Sequence, residues 1–236
     1  MNENSIAQNI NRIQEEIRIL AVKNHRDPSE ITLIGVSKFF PAKAAEDAVR
    51  AGLQDLGENR VAELVEKRGI LAAENLHPNW HLIGTLQRRK VKLIVGKTSL
   101  IHSVDSPELL AEISKCSTEI GITSPILIQL NISQEETKHG FDPEEVRELL
   151  DRISEYQGIE LKGIMTMAPL TQDEAVLHAV FSKAERMFHE MKDRVKTDSF
   201  RILSMGMSND YPVAIRCGAT HLRIGTAIFG TRNYDI

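Results

Sequence analysis

The sequence contains little cysteine and little net charge, and each shortage excludes a class of protein. Its two cysteines, Cys116 and Cys217, stand far apart among 236 residues and form no CxxC pair. This excludes a disulfide-stapled scaffold and indicates a reduced, intracellular protein. The 29 basic residues nearly balance the 33 acidic ones, which leaves a net charge of −4 and no long basic tract. We therefore expect no nucleic-acid partner, because phosphate backbones are bound through concentrated positive charge.

Long hydrophobic runs are also absent from the sequence. No apolar stretch approaches the roughly 20 residues that cross a bilayer. The opening residues, MNENSIAQNI, lack the charged and apolar regions of a signal peptide. These absences predict a cytoplasmic protein with no membrane partner. The length suits one domain, and we expect a single domain over residues 1–236 that acts as a monomer.

What the sequence does contain is a regular alternation of two hydrophobic patterns. An opening helix carries one apolar stripe, at Ile6, Ile10, Ile13, Ile17 and Leu20. Eight short β-rich runs follow it, at 31–38, 55–59, 80–84, 100–105, 125–133, 161–167, 201–208 and 221–230. Stretches of helical period separate these runs, at 42–52, 60–75, 86–95, 107–120, 143–157, 171–194 and 210–217.

This alternation predicts an α/β protein whose parallel sheet is covered by helices, because each strand is apolar along nearly its whole length. Eight is the number of strands that closes a barrel. We therefore predict a single (β/α)8 TIM-type barrel with an extra N-terminal helix. A doubly wound open sheet is the alternative, but no glycine-rich dinucleotide fingerprint follows the first strand.

Polar residues stand at the carboxyl ends of the predicted strands, where barrels place their functional sites. Lys38 follows the first strand, in LIGVSKFFPA. One interpretation is a lysine whose stem packs while its ammonium reaches solvent. The other is a Schiff-base lysine, because a partly buried amine loses its proton more readily and becomes nucleophilic.

The last two strands carry a candidate phosphate site. Gly225 and Thr226 end the eighth strand, where glycine allows close backbone approach and threonine adds a hydroxyl donor. Ser204, Gly206 and Ser208 offer similar groups on the seventh strand. Barrels often bind phosphate after strands 7 and 8. A lysine beside a phosphate site indicates a sugar-phosphate aldolase or a pyridoxal 5'-phosphate (PLP) site.

Six segments of the sequence resemble one family closely. GVSKFFPA, GENRVAEL, WHLIGTLQRRK, IHSVD, SMGMSNDYPVAI and RIGTAIFG are similar to segments of the pyridoxal-phosphate homeostasis protein family. The barrel of that family is similar to the N-terminal domain of alanine racemase. The resemblance covers nearly the whole chain, and it implies a PLP-binding barrel that keeps cofactor and amino-acid pools in balance without established turnover.

The resemblance also implies roles for individual residues. Lys38 matches the lysine that forms a covalent aldimine with PLP, and Asn59 matches a residue that lines the cofactor. Ser204 and the Gly225–Thr226 pair match phosphate-binding elements, and Arg223 matches the arginine that faces the pyridine nitrogen. The sequence departs from the commoner pattern at Phe39 and Phe40, where polar residues are frequent, and at Arg89, where asparagine is common.

Arg223 bears on whether such a site is catalytic. A guanidinium donates hydrogen bonds but does not readily accept a proton, so it leaves the ring nitrogen unprotonated and the cofactor a poor electron sink. Racemisation also needs a second acid or base on the opposite face, which in alanine racemase is a tyrosine from the other subunit. The tyrosines here are Tyr156, Tyr211 and Tyr234, of which only Tyr211 follows a strand near the site.

We therefore predict a PLP-binding protein of cofactor homeostasis with no catalytic residue, which buffers PLP and delivers it to PLP-dependent acceptor enzymes. The alternatives are an amino-acid racemase completed by an oligomeric partner and a cofactor-free Schiff-base aldolase. Lys138, in the polar loop 133–141, is a second lysine that PLP could meet, although a solvated loop residue is the simpler interpretation. His77 and His81 stand about 13 Å apart on an extended strand, so we predict no metal site.

Overall fold

The computed structural model describes residues 5–133 and 139–231. Within these ranges, eight parallel strands pair in chain order, and the eighth pairs with the first to close a barrel. The strands are β1 Thr32–Val36, β2 Asp55–Glu58, β3 Asn79–Leu82, β4 Leu100–Val104, β5 Ser124–Gln129, β6 Ile159–Met165, β7 Ile202–Ser204 and β8 His221–Ile224. The predicted (β/α)8 barrel is therefore confirmed.

Helices surround the barrel and cover the outer side of its strands. The α-helices are α1 Ile6–Lys23, α2 Ala42–Arg50, α3 Val61–Ala73, α4 Pro107–Glu119, α5 Pro143–Asp151, α6 Glu174–Val195, α7 Tyr211–Arg216 and α8 Thr226–Phe229. Short 3-10 segments lie at Pro28–Glu30, Arg88–Leu93 and Ile153–Glu155. No helix in the described part of the chain is long and apolar enough to cross a membrane.

The extra N-terminal helix, α1, begins at a capping box. The Ser5 hydroxyl accepts a hydrogen bond from the Gln8 backbone, and the Gln8 side chain accepts one from Ser5 in return. The predicted apolar stripe faces the barrel, with Ile10 and Ile13 fully buried. The Asn9 side chain donates to the carbonyl of Ile228 at 3.0 Å, which ties the start of the described chain to α8.

Some predicted boundaries were wrong. The region 86–95 forms a 3-10 segment over Arg88–Leu93 instead of an α-helix. Val91, Ile94 and Val95 are buried at the spacing that predicted a helix, but the amides of Lys90 and Ile94 donate three residues back, to the carbonyls of Gln87 and Val91. The last run, 221–230, divides at Gly225, which ends β8 and immediately precedes α8.

Apolar side chains form two clusters that lie on opposite faces of the strands. The larger cluster contains Leu56, Leu82 and Ile101 and packs the sheet against the helices. The smaller contains Leu100, Leu127 and Met165. Successive strand residues point to opposite faces, so the smaller cluster lies inside the barrel. The interior also contains Ile34, which pairs with Arg223, and polar side chains such as His102 and Ser204. Charged and hydrogen-bonding groups thus lie beneath the functional end.

Candidate functional site

A pocket of about 380 Å³ lies at the carboxyl ends of the strands, and we call it the barrel-end pocket. Its lining comes from the loops after β1, β2, β3, β6, β7 and β8. Six of the eight residues predicted to bind the cofactor line it: Lys38, Asn59, Ser208, Arg223, Gly225 and Thr226. The structure therefore brings together groups that are distant in the sequence.

Lys38 reaches the pocket from a tight turn after β1. The amide of Phe40 donates to the Ser37 carbonyl at 3.0 Å, which closes the turn. Phe39 has a left-handed backbone with φ of 67°, an uncommon conformation for a residue other than glycine. Its amide donates to the Glu63 carboxylate at 3.0 Å, and its ring lies under the Arg60 guanidinium at 4.9 Å. The turn is thus held from α3 as well as from β1.

A buried ion pair lies beneath this turn. The Lys67 ammonium donates to the Glu58 carboxylate at 2.6 Å and to the Ser37 carbonyl at 2.7 Å. The Ser37 hydroxyl donates to the same carboxylate oxygen at 2.6 Å. Burial raises the pKa of Glu58, although the hydrogen bonds from Lys67 and Ser37 oppose that rise. Lys67 was not predicted from the sequence, because a lysine on an amphipathic helix is normally exposed.

The candidate phosphate elements of β7 and β8 lie side by side. The Ala227 amide, in the first turn of α8, donates weakly to the Ser208 hydroxyl at 3.4 Å. Gly225 precedes that turn, and a Cβ placed on it would lie 3.3 Å from the Val36 carbonyl. The missing side chain at Gly225 therefore lets the backbone pass close to Val36, and Thr226 lines the same pocket as Lys38.

Ser204 and Gly206 do not line the pocket. Ser204 is buried inside the barrel, where its hydroxyl accepts a hydrogen bond from Arg223 Nη1 at 2.6 Å. The Gly206 carbonyl accepts one from the Arg223 amide at 3.0 Å. Gly206 has φ of +94°, and a Cβ there would lie 2.7 Å from that of Ala214. Both residues thus support Arg223 from behind instead of contacting the pocket.

Arg223 forms the inner wall of the pocket and is 4% exposed. Its Nη2 donates to the Thr166 carbonyl at 2.9 Å. Burial lowers the pKa of the guanidinium to about 10, and Asp210 opposes that fall. The group therefore remains charged at neutral pH.

Asp210 is a lining residue that the sequence analysis did not identify. Its carboxylate accepts a hydrogen bond from the Met207 amide at 2.5 Å, and burial raises its pKa. The available signal was the Asn-Asp pair before a helix with proline in its first turn, a typical N-cap pattern. Asp210 places a second charge near Arg223, which limits the net positive charge of the pocket.

Asn59 carries an unsatisfied group. Its Oδ1 is buried and has no hydrogen-bond partner among the described residues. Leaving such an acceptor unpaired costs about 1–3 kcal/mol. Gly84 lies against it, since a Cβ on Gly84 would be 2.7 Å from the Asn59 Cα. A ligand with a suitable donor would satisfy this oxygen.

The remaining candidates lie elsewhere. The Tyr211 hydroxyl donates a hydrogen bond to Glu16 of α1, and Tyr211 does not line the pocket. Burial, and to a lesser extent this hydrogen bond, raises the pKa of Tyr211. Tyr156 lies at a different surface cavity. Lys138 and Tyr234 lie outside the described residues. Across residues 5–133 and 139–231, no group of three or more histidine, cysteine or acidic side chains could hold a metal ion.

Known proteins share the sequence of this chain over nearly its whole length. The family described as "Alanine racemase, N-terminal domain" matches residues 2–233. A Haemophilus influenzae relative is 35% identical over 231 residues and covers 98% of each chain. One from Aquifex aeolicus is 37% identical over 227 residues, or 96% of this chain and 98% of the relative. Both are named "Pyridoxal phosphate homeostasis protein".

Solved structures agree with this result. PipY of Synechococcus elongatus, solved with PLP bound, is 34% identical with a TM-score of 0.81 over 96% of this chain and 100% of PipY. An alanine racemase from Clostridium difficile is 19% identical with a TM-score of 0.71, and it covers 98% of this chain but 58% of the racemase. The racemase shows the shared fold alone. By its sequence and its barrel, the chain belongs to the pyridoxal phosphate homeostasis protein family.

Proposed function

We propose that this protein binds PLP in the barrel-end pocket and acts in PLP homeostasis instead of as an efficient catalyst. The names of the curated relatives and the PLP-bound PipY support this proposal. The observation that carries it is the meeting of Lys38 with Gly225 and Thr226 in one pocket. An amine and a phosphate cradle are the two groups that a phosphorylated aldehyde requires.

The residues present fit the cofactor. PLP supplies an aldehyde that an amine can hold as a Schiff base, and we assign that amine to Lys38. Ser208, Gly225 and Thr226 would bind the phosphate through hydroxyl and backbone N–H groups. The unpaired Oδ1 of Asn59 provides an acceptor for a donor on the ligand. Phe40, Ile83 and Met167 provide apolar wall for an aromatic ring.

The lining also explains why we propose little turnover. Within the described part of the chain, the titratable side chains of the pocket lining are Lys38, Asp210 and Arg223. Among the described residues, neither a tyrosine nor a histidine lines the pocket, and the Tyr211 hydroxyl is bonded to Glu16. Arg223 stays charged and donates only, so it would leave the ring nitrogen unprotonated. Racemisation needs an acid or base on each face of the ligand.

An exposed rim is suited to handing PLP to acceptor enzymes. Leu170 lines the pocket and is 96% exposed, and Phe39, next to Lys38, is 50% exposed. We infer that a monomer of this protein works in the cytoplasm and releases PLP to PLP-dependent enzymes at this rim.

Borohydride reduction of the protein mixed with PLP, followed by peptide mass mapping, tests the proposal. We expect one pyridoxyl adduct, at Lys38, which Lys38→Ala removes. Lys43→Ala is the matched control, because Lys43 lies on α2 with its side chain 65% exposed and should not carry the adduct. Adducts scattered over surface lysines, with Lys38 unmodified, would contradict PLP binding at this site and favour the aldolase.

Turnover of D- and L-amino acids separates homeostasis from racemisation. We expect the PLP-loaded protein to leave both enantiomers essentially unchanged. Appreciable racemisation that Lys38→Ala abolishes would show instead that the site is catalytic.

A further inference from the structure

A line of hydrogen-bonded polar side chains crosses the barrel interior from one end to the other. We call it the interior network. Its members are Asp55, His81, His102, Ser204 and Arg223, from β2, β3, β4, β7 and β8. The contacts are Asp55 Oδ1 to His81 Nε2 at 2.9 Å, His81 Nδ1 to His102 Nε2 at 3.0 Å, His102 Nδ1 to Ser204 Oγ at 3.0 Å, and Ser204 Oγ to Arg223 Nη1 at 2.6 Å.

The interior network joins the two ends of the barrel. Arg223 lines the barrel-end pocket, whereas Asp55 lines a groove among the amino-terminal ends of the strands. His102 and Ser204 are fully buried between them, and His81 is 4% exposed. Buried polar atoms are costly unless each is hydrogen-bonded. Every hydrogen bond in this line therefore needs one donor and one acceptor.

The two ends of the network determine which atoms donate. An arginine only donates, and an ionised aspartate only accepts. His81 must therefore carry its proton on Nε2 to donate to Asp55, which leaves its Nδ1 as an acceptor. His102 then donates from Nε2 and accepts at Nδ1. The Ser204 hydroxyl donates to that Nδ1, so its oxygen accepts from Arg223.

The opposite direction leaves groups unpaired. If His102 carried its proton on Nδ1, it would donate to Ser204, whose own proton would lose its acceptor. With both rings neutral, the His81 Nε2 lone pair would then face the Asp55 carboxylate at 2.9 Å. Only one arrangement of neutral rings therefore satisfies all four contacts.

The charges around the network favour a neutral His102. Burial, followed by the nearby His81 and Arg223, holds the pKa of His102 well below its usual range. His221 lies beside His81, with ring centroids 6.4 Å apart, and Asp210 is the acid near Arg223. A charged His102 would add a second buried cation next to the guanidinium.

We propose that Asp55, His81, His102 and Ser204 are positioning residues that hold Arg223 in place. The Asp55 carboxylate fixes the tautomers of both histidines and so presents the Ser204 oxygen as the acceptor for the guanidinium. The tautomers follow from the protein alone. That Arg223 then faces the ring of PLP rests on the proposed function.

Long-range ¹H–¹⁵N NMR of the PLP-free protein at neutral pH tests the tautomers. We expect a neutral His102 with its proton on Nε2, and a His81 that donates from Nε2 and accepts at Nδ1. An asparagine at position 55 can present its oxygen or its NH2 group to His81, so Asp55→Asn weakens the preference for one tautomer and we expect the Nδ1–H form to become populated in both rings. Asp151→Asn is the control, because it makes the same change at an exposed acid on α5 that pairs with Arg194, and it should leave both tautomers unchanged.

Two NMR results would overturn the proposal: a His102 protonated on Nδ1 or charged in the unmodified protein, or tautomers that Asp55→Asn leaves unchanged. PLP affinity gives the second readout. Ser204→Ala removes a hydrogen bond to a charged group and should weaken PLP binding about 10-fold, and Asp55→Asn should weaken it by a smaller factor. Unchanged affinity in both variants would contradict a positioning role.

A different set of results would contradict the proposed function. If the unmodified protein bound no PLP while the NMR spectra showed the expected tautomers, PLP binding would be wrong. The network would still hold Arg223. The two conclusions are therefore tested separately.

Discussion

At the scale of single residues, the turn that carries Lys38 is supported by a buried ion pair between Glu58 and Lys67. Glu58 is fully buried and the Lys67 side chain is 6% exposed. One carboxylate oxygen, Glu58 Oε2, has no hydrogen-bond partner among the described residues. Such a pair contributes little net stability when intact, but removing one partner leaves an uncompensated buried charge.

Lys67→Met should therefore destabilise the protein strongly. We expect the free energy of unfolding to fall by about 3–5 kcal/mol, measured by urea denaturation at neutral pH. The deficit should shrink as the pH is lowered, because a protonated Glu58 no longer buries a charge and its pKa is already raised by burial.

Two further variants control this experiment. Lys43→Met removes an exposed lysine that pairs with Asp47 at 2.9 Å, and it should cost about 0–1 kcal/mol. Adding Glu58→Gln to Lys67→Met should restore part of the lost stability. A Lys67→Met protein as stable as the Lys43→Met protein would show that the buried pair has no such role.

Single residues also show what the sequence could and could not predict about the candidate site. Lys38 and Thr226 were predictable, because both follow apolar strands and barrels place functional groups there. His102 and Lys67 were not, because their roles depend on contacts that form only when the barrel folds. Ser204 was predicted to bind phosphate, but in the structure it accepts a hydrogen bond from Arg223. No local sequence pattern distinguishes a serine that supports an arginine from one that binds phosphate.

At the scale of elements, the strands were predicted well and their ends less well. The apolar runs located all eight described strands, but β7 has three residues where the pattern predicted a longer run. The apolar pattern reflects burial, and residues after β7 such as Met205 stay buried although the strand has ended. It also gave no sign that the barrel interior is polar, because histidine and serine occur in strands of every kind.

The polar barrel interior makes the sheet sensitive to acid. Burial lowers the pKa of His221 from 6.5 to about 4. Between these values the unfolded chain binds a proton that the folded chain does not, so stability falls as the pH falls. At pH 5 this one histidine should cost about 2 kcal/mol relative to pH 7.5. Denaturant titrations at both pH values measure the difference.

Two histidine variants isolate this contribution. His221→Gln should reduce the loss of stability between pH 7.5 and 5 by about 2 kcal/mol, whatever its effect at neutral pH. His189→Gln changes an exposed histidine on α6 and should leave the loss unchanged. An equal loss in all three proteins would place the acid sensitivity elsewhere.

At the scale of the whole molecule, barrel closure makes every strand depend on two neighbours. We propose that residues 1–236 unfold as one domain, because no strand can leave without breaking two ladders. The single tryptophan, Trp80, is 3% exposed and packs in the cluster between sheet and helices. Its fluorescence and the far-UV circular dichroism should therefore change over the same range of urea.

PLP provides a second test of this behaviour. At a free concentration 100 times its dissociation constant, PLP should add about 2.7 kcal/mol to the free energy of unfolding. Both signals should then move to higher urea together. Separate transitions, or a shift in only one signal, would indicate more than one cooperative unit.

The seam between β1 and β8 has a consequence for synthesis on the ribosome. Gly35 pairs with Ile224 across it, and the two halves of the pocket follow these strands directly. The amine at Lys38 emerges early, whereas Gly225 and Thr226 emerge only after nearly all of the barrel has been translated. A nascent chain therefore exposes Lys38 before the proposed phosphate contacts exist. We expect PLP to bind at the proposed site only after β8 has paired with β1, so that PLP binding would indicate a completely folded barrel.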